Sequence, residues 1–212
     1  MTDRNDEENF DLAAVYESAN RIPATVSQVL NLDLPDASMI RRTLQAAGQL
    51  AEATAFIAES MASTAGFGWS AEREAPGRYE DLSIAYEYSK STFAPLPVSS
   101  LNCVTTVFTD PIFNLAARFW HDLTHVRLGS DFSEAGEAAV AAAQLYTIRL
   151  HGFEPKSPAY QVLAIETNGQ DRCLRELGHY PSSQLRFTVR AFEMGVDYAI
   201  ACELDDAIAA VL

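Results

Sequence analysis

The sequence predicts an all-α fold, a single-domain multi-helix bundle built around a central helical hairpin. Three observations predict it. Apolar residues recur at spacings of three and four along most of the 212-residue chain, helix start signals precede these runs, and the length suits one domain. We expect about six to eight helices in one domain over residues 9–212, preceded by an acidic, flexible tail over residues 1–8.

The first half of the chain predicts a long amphipathic helix from an N-cap at Asp36 to Gly66. A segment containing Gly and Pro, from Gly66 to Gly77, then breaks the helical pattern. A short helix is predicted over about 79–90. Residues 103–108 are predicted to be extended.

The hairpin follows, with the clearest start signal in the chain. Asp110 is a typical N-cap, and the proline after it suits the first helical position, where a missing amide proton costs nothing. This helix is predicted to run over 111–128 and to end at Gly129. A second helix should begin near Ser133 and end before Gly152, so that about four residues join the two helices.

Two further helices are predicted in the last third. Ser157 and the proline after it repeat the start signal for a helix, which we expect to break near Asn168 and Gly169. The last helix is predicted from about Ser182 nearly to the end of the chain. Its apolar stripe consists of Leu185, Val189, Phe192, Val196 and Ala199.

Composition excludes several classes of protein. The formal net charge of −14 and the isoelectric point near 4.6 disfavour nucleic-acid binding, because a phosphate backbone would repel the chain. Cys103, Cys173 and Cys202 lie too far apart for a CxxC redox pair or a four-thiolate zinc site. The acidic N-terminus lacks the pattern of a targeting signal, and no apolar run predicts a membrane span, so we expect a cytoplasmic protein. Peripheral membrane contact and oligomerisation are compatible with the sequence.

The most informative stretch is HDLTH, residues 121–125, followed later by Glu137. His121 and His125 are one helical turn apart and point within about 40° of each other, the spacing at which two imidazoles can reach one cation. Because the chain reverses after Gly129, Glu137 in the first turn of the next helix can face them. Two imidazoles and a carboxylate suit zinc first, and non-haem iron second.

The environments of the two acidic residues support this interpretation. Glu137 shares a helix face with mostly small and apolar residues, where a carboxylate is costly to bury unless a cation or a strong donor satisfies it. Asp122 follows His121 directly and lies four residues after Arg118. It could be a fourth ligand, orient a metal-bound water, act as an acid–base partner, or pair with Arg118.

Other interpretations of the same residues stay open. A polar helix face opposite an apolar stripe is also typical of an ordinary solvated surface. A phosphohydrolase of the HD class would need an earlier histidine, and none precedes His121. A zincin-type peptidase would need Glu where Asp122 stands. The helices could also form a non-enzymatic scaffold that binds a prenyl lipid or a protein, in which the metal only links the two helices of the hairpin.

The remaining histidines and a pair of arginines are weaker candidates. His151 lies 14 residues beyond Glu137 and is expected to be a charge at a helix C-terminus. His179 is expected to be a surface or capping residue in a turn. Arg186 and Arg190, one turn apart, could bind a carboxylate or phosphate but are expected to be a solvated pair.

The segment HDLTHVRLGSDFSEAGE resembles the HDxxHx11E metal signature of the COQ-four family of coenzyme Q (ubiquinone) biosynthesis proteins, including glycines at Gly129 and Gly136. The chain departs from that family in the interhelix loop, where Ser130, Asp131 and Phe132 stand in place of its usual proline. The resemblance implies a helical fold and a nearby apolar groove for a prenylated quinone precursor. It further implies metal-dependent lyase or oxygenase-type chemistry, in which the ring carboxyl is removed and replaced by hydroxyl. The divalent metal would bind four side chains: His121, Asp122, His125 and Glu137.

Overall fold

The computed structural model describes residues 37–103, 106–108 and 110–209, which form a helical bundle with one short sheet. Asp36 and the acidic tail predicted over residues 1–8 lie outside the described residues. The helices are α1 (Ala37–Ala65), α2 (Tyr79–Thr92), α3 (Pro111–Leu128), α4 (Glu134–Leu150), α5 (Pro158–Ala164), α6 (Gln170–Leu177), α7 (Gln184–Met194) and α8 (Val196–Ala209). The strands are β1 (Trp69–Glu72) and β2 (Leu96–Ser99). The predicted all-α fold is confirmed.

The long helix α1 and the site-bearing helix α3 form the centre of the bundle. The buried face of α1 is rich in alanine, with Ala47, Ala58 and Ala62 almost fully buried, so that its neighbours can approach closely. On α3, Phe119 and Leu123 are completely buried, and each contributes about 2 kcal/mol through burial of apolar surface. The apolar face of α3 therefore fixes the helix whose other face carries the two histidines.

The prediction that residues 103–108 are extended is wrong. The described residues of that stretch form turns, and the strands lie elsewhere, with Trp69 paired to Leu96 in a parallel two-stranded sheet. In β2, buried Leu96 and Val98 alternate with half-buried residues, which is the period of a strand. Helix α2 supplies the crossover that two parallel strands require.

The predicted hairpin is confirmed at both ends of its first helix and at the start of its second. The Asp110 carboxylate accepts a hydrogen bond from the amide of Ile112, and Gly129 ends α3 with a φ of 63°. The Ser133 hydroxyl then caps α4 by accepting from the amide of Gly136. Five residues, 129–133, join the helices.

Two predictions for the last third need correction. The helix that starts at Ser157 does not break at Asn168 and Gly169, because a π-helical turn over Ile165–Gly169 connects α5 to α6 without interruption. The last helix is not continuous, because Gly195 adopts a φ of 93° and separates α7 from α8. That backbone conformation is open to glycine and strained for other residues. In the described part of the chain, no helix has the length and apolar character needed to cross a bilayer.

Candidate metal centre

The hairpin brings three of the predicted site residues together. Nε2 of His121 lies 3.0 Å from Nε2 of His125, and the two nitrogens lie 3.3 Å and 3.4 Å from the two carboxylate oxygens of Glu137. Among the described His, Cys, Asp and Glu residues, these three form a group in which one ligand atom of each residue lies within 4.8 Å of those of the other two. Such a group could hold a metal ion.

The separations match those expected around a small divalent cation. Ligand atoms bonded at about 2.0–2.1 Å in a tetrahedron lie about 3.3 Å apart. The three nitrogen–nitrogen and nitrogen–oxygen distances, from 3.0 to 3.4 Å, fall close to that value. The donor set of two imidazoles and one carboxylate is also the one that zinc and non-haem iron prefer.

Hydrogen bonds on the other ring nitrogens determine which imidazole nitrogens are free. Nδ1 of His125 lies 2.9 Å from the carbonyl oxygen of Ser130, and Nδ1 of His121 lies 3.4 Å from Oε1 of Gln144. Both partners are acceptors, so a proton on each Nδ1 fits these contacts, and a ring in that tautomer turns a bare Nε2 toward its neighbour. In that tautomer, two lone pairs and a carboxylate at these distances repel one another unless a cation, or a proton on one Nε2, lies among them.

The three groups differ in their exposure and in their pKa values. The side chain of His125 is fully buried, whereas those of His121 and Glu137 remain 32% and 26% exposed. Burial alone would raise the pKa of Glu137, but hydrogen bonds with His121 and His125 outweigh it and lower the pKa to about 2. Burial would lower the pKa of His121, yet Glu137 and the nearby Asp122 raise it overall.

The interhelix loop fixes the geometry of the buried histidine. Because Gly129 turns the chain back at the end of α3, the carbonyl of Ser130 points to the His125 ring. The Phe132 ring packs edge-on against the same imidazole, with the centroids 4.7 Å apart. Gly136 lets the loop approach α4, since an added Cβ there would lie 1.9 Å from the Asp131 carbonyl oxygen.

Asp122, the fourth predicted ligand and the predicted catalytic residue, lies outside the three-residue group. One residue along a helix turns a side chain by about 100°, which directs this carboxylate away from its neighbour His121. Burial raises the pKa of Asp122 to about 6, and the charges of His121, His125 and Arg118 oppose that shift. Arg118 donates a hydrogen bond to the Ser99 carbonyl oxygen at 2.6 Å. The role of Asp122 as a ligand or acid–base partner stays a prediction.

Two cavities adjoin the group, and His121 lines both. The first, about 140 Å³, is also lined by Glu137, Asp171 and Tyr180. The second, about 150 Å³, is also lined by Arg118 and by the buried side chains of Asn114 and Trp120. We call the first the outer cavity and the second, after its buried lining, the inner cavity. Residues of the π-helical turn and the start of α6 border both cavities: Glu166, Thr167 and Gln170. The sequence did not identify these three residues as part of the site, because no residue pattern marks a π-helical turn.

The weaker candidates lie outside the three-residue group. His151 is the C-cap residue of α4 and packs edge-on against Phe56. His179 is exposed, and its Nδ1 lies 2.8 Å from the carbonyl oxygen of Tyr180. The expectation that Arg186 and Arg190 form a solvated pair is wrong, because their side chains are only 22% and 11% exposed. Both pair with Asp206 on α8, at 3.2 Å and 2.9 Å, and so help to hold the last two helices together.

The fold and the site together define a helical bundle whose central hairpin carries a group of two histidines and one glutamate. Comparison with known proteins adds nothing to this definition: no family model, no curated protein and no solved structure matches the chain.

Proposed function

We propose that this protein binds one divalent metal ion, zinc or alternatively non-haem iron, through His121, His125 and Glu137. The observation that carries the proposal is the convergence of two Nε2 atoms and a carboxylate at 3.0–3.4 Å. A cation removes the repulsion among these three groups and satisfies the half-buried carboxylate. Asp122 is proposed as a further ligand or as the acid–base partner of the site.

The surroundings favour an open site over a closed structural one. Three protein ligands leave at least one coordination position for a ligand or substrate, as in catalytic zinc sites. The partly exposed side chains, His121 and Glu137, are the ones that line the outer cavity. A ligand entering that cavity would therefore meet the open side of the ion.

The proposed substrate is a prenylated quinone precursor, whose ring carboxyl would be removed and replaced by hydroxyl. This part rests on the resemblance of the HDxxHx11E segment and its two glycines, Gly129 and Gly136, to the coenzyme Q family. The size of the inner cavity is compatible with it, because about 150 Å³ can accommodate one six-membered ring. Bound at the three ligands, a divalent ion would supply Lewis-acid polarisation of the carboxyl or activation of oxygen or water.

Elemental analysis of protein purified without an affinity tag tests the metal. The wild type should contain about one equivalent of a divalent ion, and the double variant His121→Ala, Glu137→Ala should have lost it. His179→Ala is the matched control, because it removes an exposed histidine outside the group. Equal metal content in the wild type and the double variant would contradict the assignment.

The substrate needs a separate test in cells. A strain that lacks this protein, in a background without redundant enzymes, should accumulate the carboxylated precursor and lose quinone. Wild-type protein should restore the quinone level, and the His121→Ala, Glu137→Ala variant should not. Unchanged quinone and precursor levels in the deletion strain would refute the substrate assignment and leave the metal site standing.

A further inference from the structure

Glu166 is a half-buried carboxylic acid that is not one of the proposed metal ligands. It lies in the π-helical turn Ile165–Gly169 and lines both the outer and the inner cavity, as His121 does. π-Helical turns within α-helices occur frequently at functional sites, where the wide turn places a side chain that a regular helix would direct elsewhere. The turn thus places a carboxyl group in the lining of the same two cavities that His121 lines.

The contacts of this carboxyl suit an acid–base role. The hydroxyl of the fully buried Thr188 donates a hydrogen bond to Oε1 of Glu166, which leaves Oε2 to carry a proton. The Gln170 side chain lies near the carboxyl, but its amide nitrogen completes no hydrogen bond. Neither contact is one of the three proposed metal ligands. Burial raises the pKa of Glu166 to about 7 against the opposing effects of Thr188 and Gln170, which permits gain and loss of a proton near neutral pH.

We propose that Glu166 is an acid–base residue of this site, separate from Asp122, and exchanges a proton with an oxygen atom of the ligand held in the cavities beside His121. The inference rests on the proposed metal-binding function.

The proposed step is a simple proton transfer. The O–H bond at Oε2 of Glu166 breaks, its electron pair stays on the carboxyl group, and the proton forms a new O–H bond with a lone pair of the ligand oxygen. The Thr188 hydroxyl stabilises the resulting carboxylate through Oε1. The outer cavity supplies a route by which water can return a proton to Glu166.

Other charged and titratable groups also face the two cavities, and the test has to separate Glu166 from them. Helix α3 contributes Arg118 and His121, α4 contributes Glu137, α6 contributes Asp171, and the loop after α6 contributes Tyr180. The pH dependence of azide binding to the wild type alone would combine the effects of all these groups. Comparison with a variant that differs only at Glu166 isolates its contribution.

Azide binding to the cobalt(II)-loaded protein, followed in the visible spectrum of the metal from pH 5.5 to pH 8.5, provides the test. Once Glu166 is ionised, its negative charge should weaken binding of an anion at the open coordination position. At pH 8.5 the Glu166→Gln variant should therefore bind azide about tenfold more tightly than the wild type, and at pH 5.5 equally well. Glu176→Gln is the matched control, because it removes an exposed carboxylate from α6 outside both cavities. The azide affinity of this control variant should equal that of the wild type at both pH values.

A second variant guards against misfolding of the first. Thr188→Val keeps the shape of the side chain but removes the donor to Glu166, so the step in azide affinity should move to higher pH. If all variants bind cobalt and their azide affinities depend on pH in the same way, the role of Glu166 is overturned while the metal site stands. Loss of cobalt in Glu166→Gln would make Glu166 part of metal retention and overturn the acid–base role. A wild type that binds no cobalt would refute the metal site, and this inference with it.

Discussion

The carbonyl oxygen of Asp131 occupies the space that a side chain at position 136 would need. A Cβ atom built on Gly136 would lie 1.9 Å from that oxygen and 2.9 Å from the carbonyl carbon, both of them backbone atoms that cannot rotate away. The same loop carries Ser130, whose carbonyl holds His125, and leads directly to the helix that carries Glu137. Close packing at Gly136 therefore helps to hold Glu137 near His121 and His125.

Gly136→Ala should destabilise the protein by about 2 kcal/mol, because the loop must move to relieve the clash. The same movement should weaken metal binding by displacing Glu137. Gly48→Ala is the control: it also lies in a helix, but an added Cβ there has no neighbour within 4 Å, so it should stabilise the protein by about 0.5–1 kcal/mol. Urea denaturation and metal titration measure both effects, and equal stability of the two variants would show that the loop is not rigid.

Metal affinity should rise with pH. A proton on the Nε2 of His121 competes with the ion, and the raised pKa of His121 extends this competition toward neutral pH. Glu137, with a pKa of about 2, is ionised throughout this range and adds no further dependence. Between pH 5.5 and pH 7 the apparent affinity should increase about tenfold per pH unit for each proton displaced. Competition with a coloured chelator measures it, and a flat profile would mean that the imidazoles do not bind the ion.

Glu166 should make the metal-free protein less stable as pH rises. Its pKa of about 7 in the folded chain lies above its ordinary value of 4.5, so the folded state binds the proton more tightly than the unfolded state does. The stabilisation is complete below pH 4.5 and is lost as pH rises through 7. Relative to Glu166→Gln, the wild type should lose about 2 kcal/mol between pH 5.5 and pH 8. Urea denaturation of both proteins at each pH measures this difference. Parallel stability curves would contradict the prediction.

Two buried threonines of α1 should differ in how the same substitution changes the stability of the protein. The Thr54 hydroxyl is buried at the edge of the inner cavity and has no hydrogen-bond partner, whereas the Thr43 hydroxyl donates to the Met39 carbonyl. Thr54→Val should leave stability unchanged or raise it by about 1 kcal/mol, and Thr43→Val should lower it by about 1 kcal/mol. Thermal unfolding of the two variants checks this. Equal losses would indicate that Thr54 has a partner in solution.

The convergence of His121, His125 and Glu137 could be predicted from the sequence because each part of it has a local cause. Spacing of four residues on a helix brings His121 and His125 together, and a glycine stop followed by a serine cap returns Glu137 to them. The position of Glu166 in the lining of the two cavities could not be predicted in this way. Glu166 reaches the site through a π-helical turn and through packing against Thr188, 22 residues later in the chain, and neither leaves a pattern in the sequence.

The fold shows the same division between local and long-range causes. The helix starts at Asp110 and Ser133 were predictable because a single side chain caps each one. The extended segment was predicted at residues 103–108 and not at β1 and β2, because each of these strands is only four residues long and forms by pairing with the other. The break at Gly195 was missed because the apolar stripe continues across it, and only the backbone conformation reveals the end of α7.

The complete burial of His125 has a kinetic consequence. With that imidazole sealed behind the loop and the Phe132 ring, the way in and out for an ion runs past His121 and Glu137, the two partly exposed side chains. Occupation of the outer cavity by a bound molecule would close that route and trap the ion beneath it. Ion exchange should therefore be slow in the liganded protein and faster in the free one, with the residence time of the metal controlled by whatever fills the cavity.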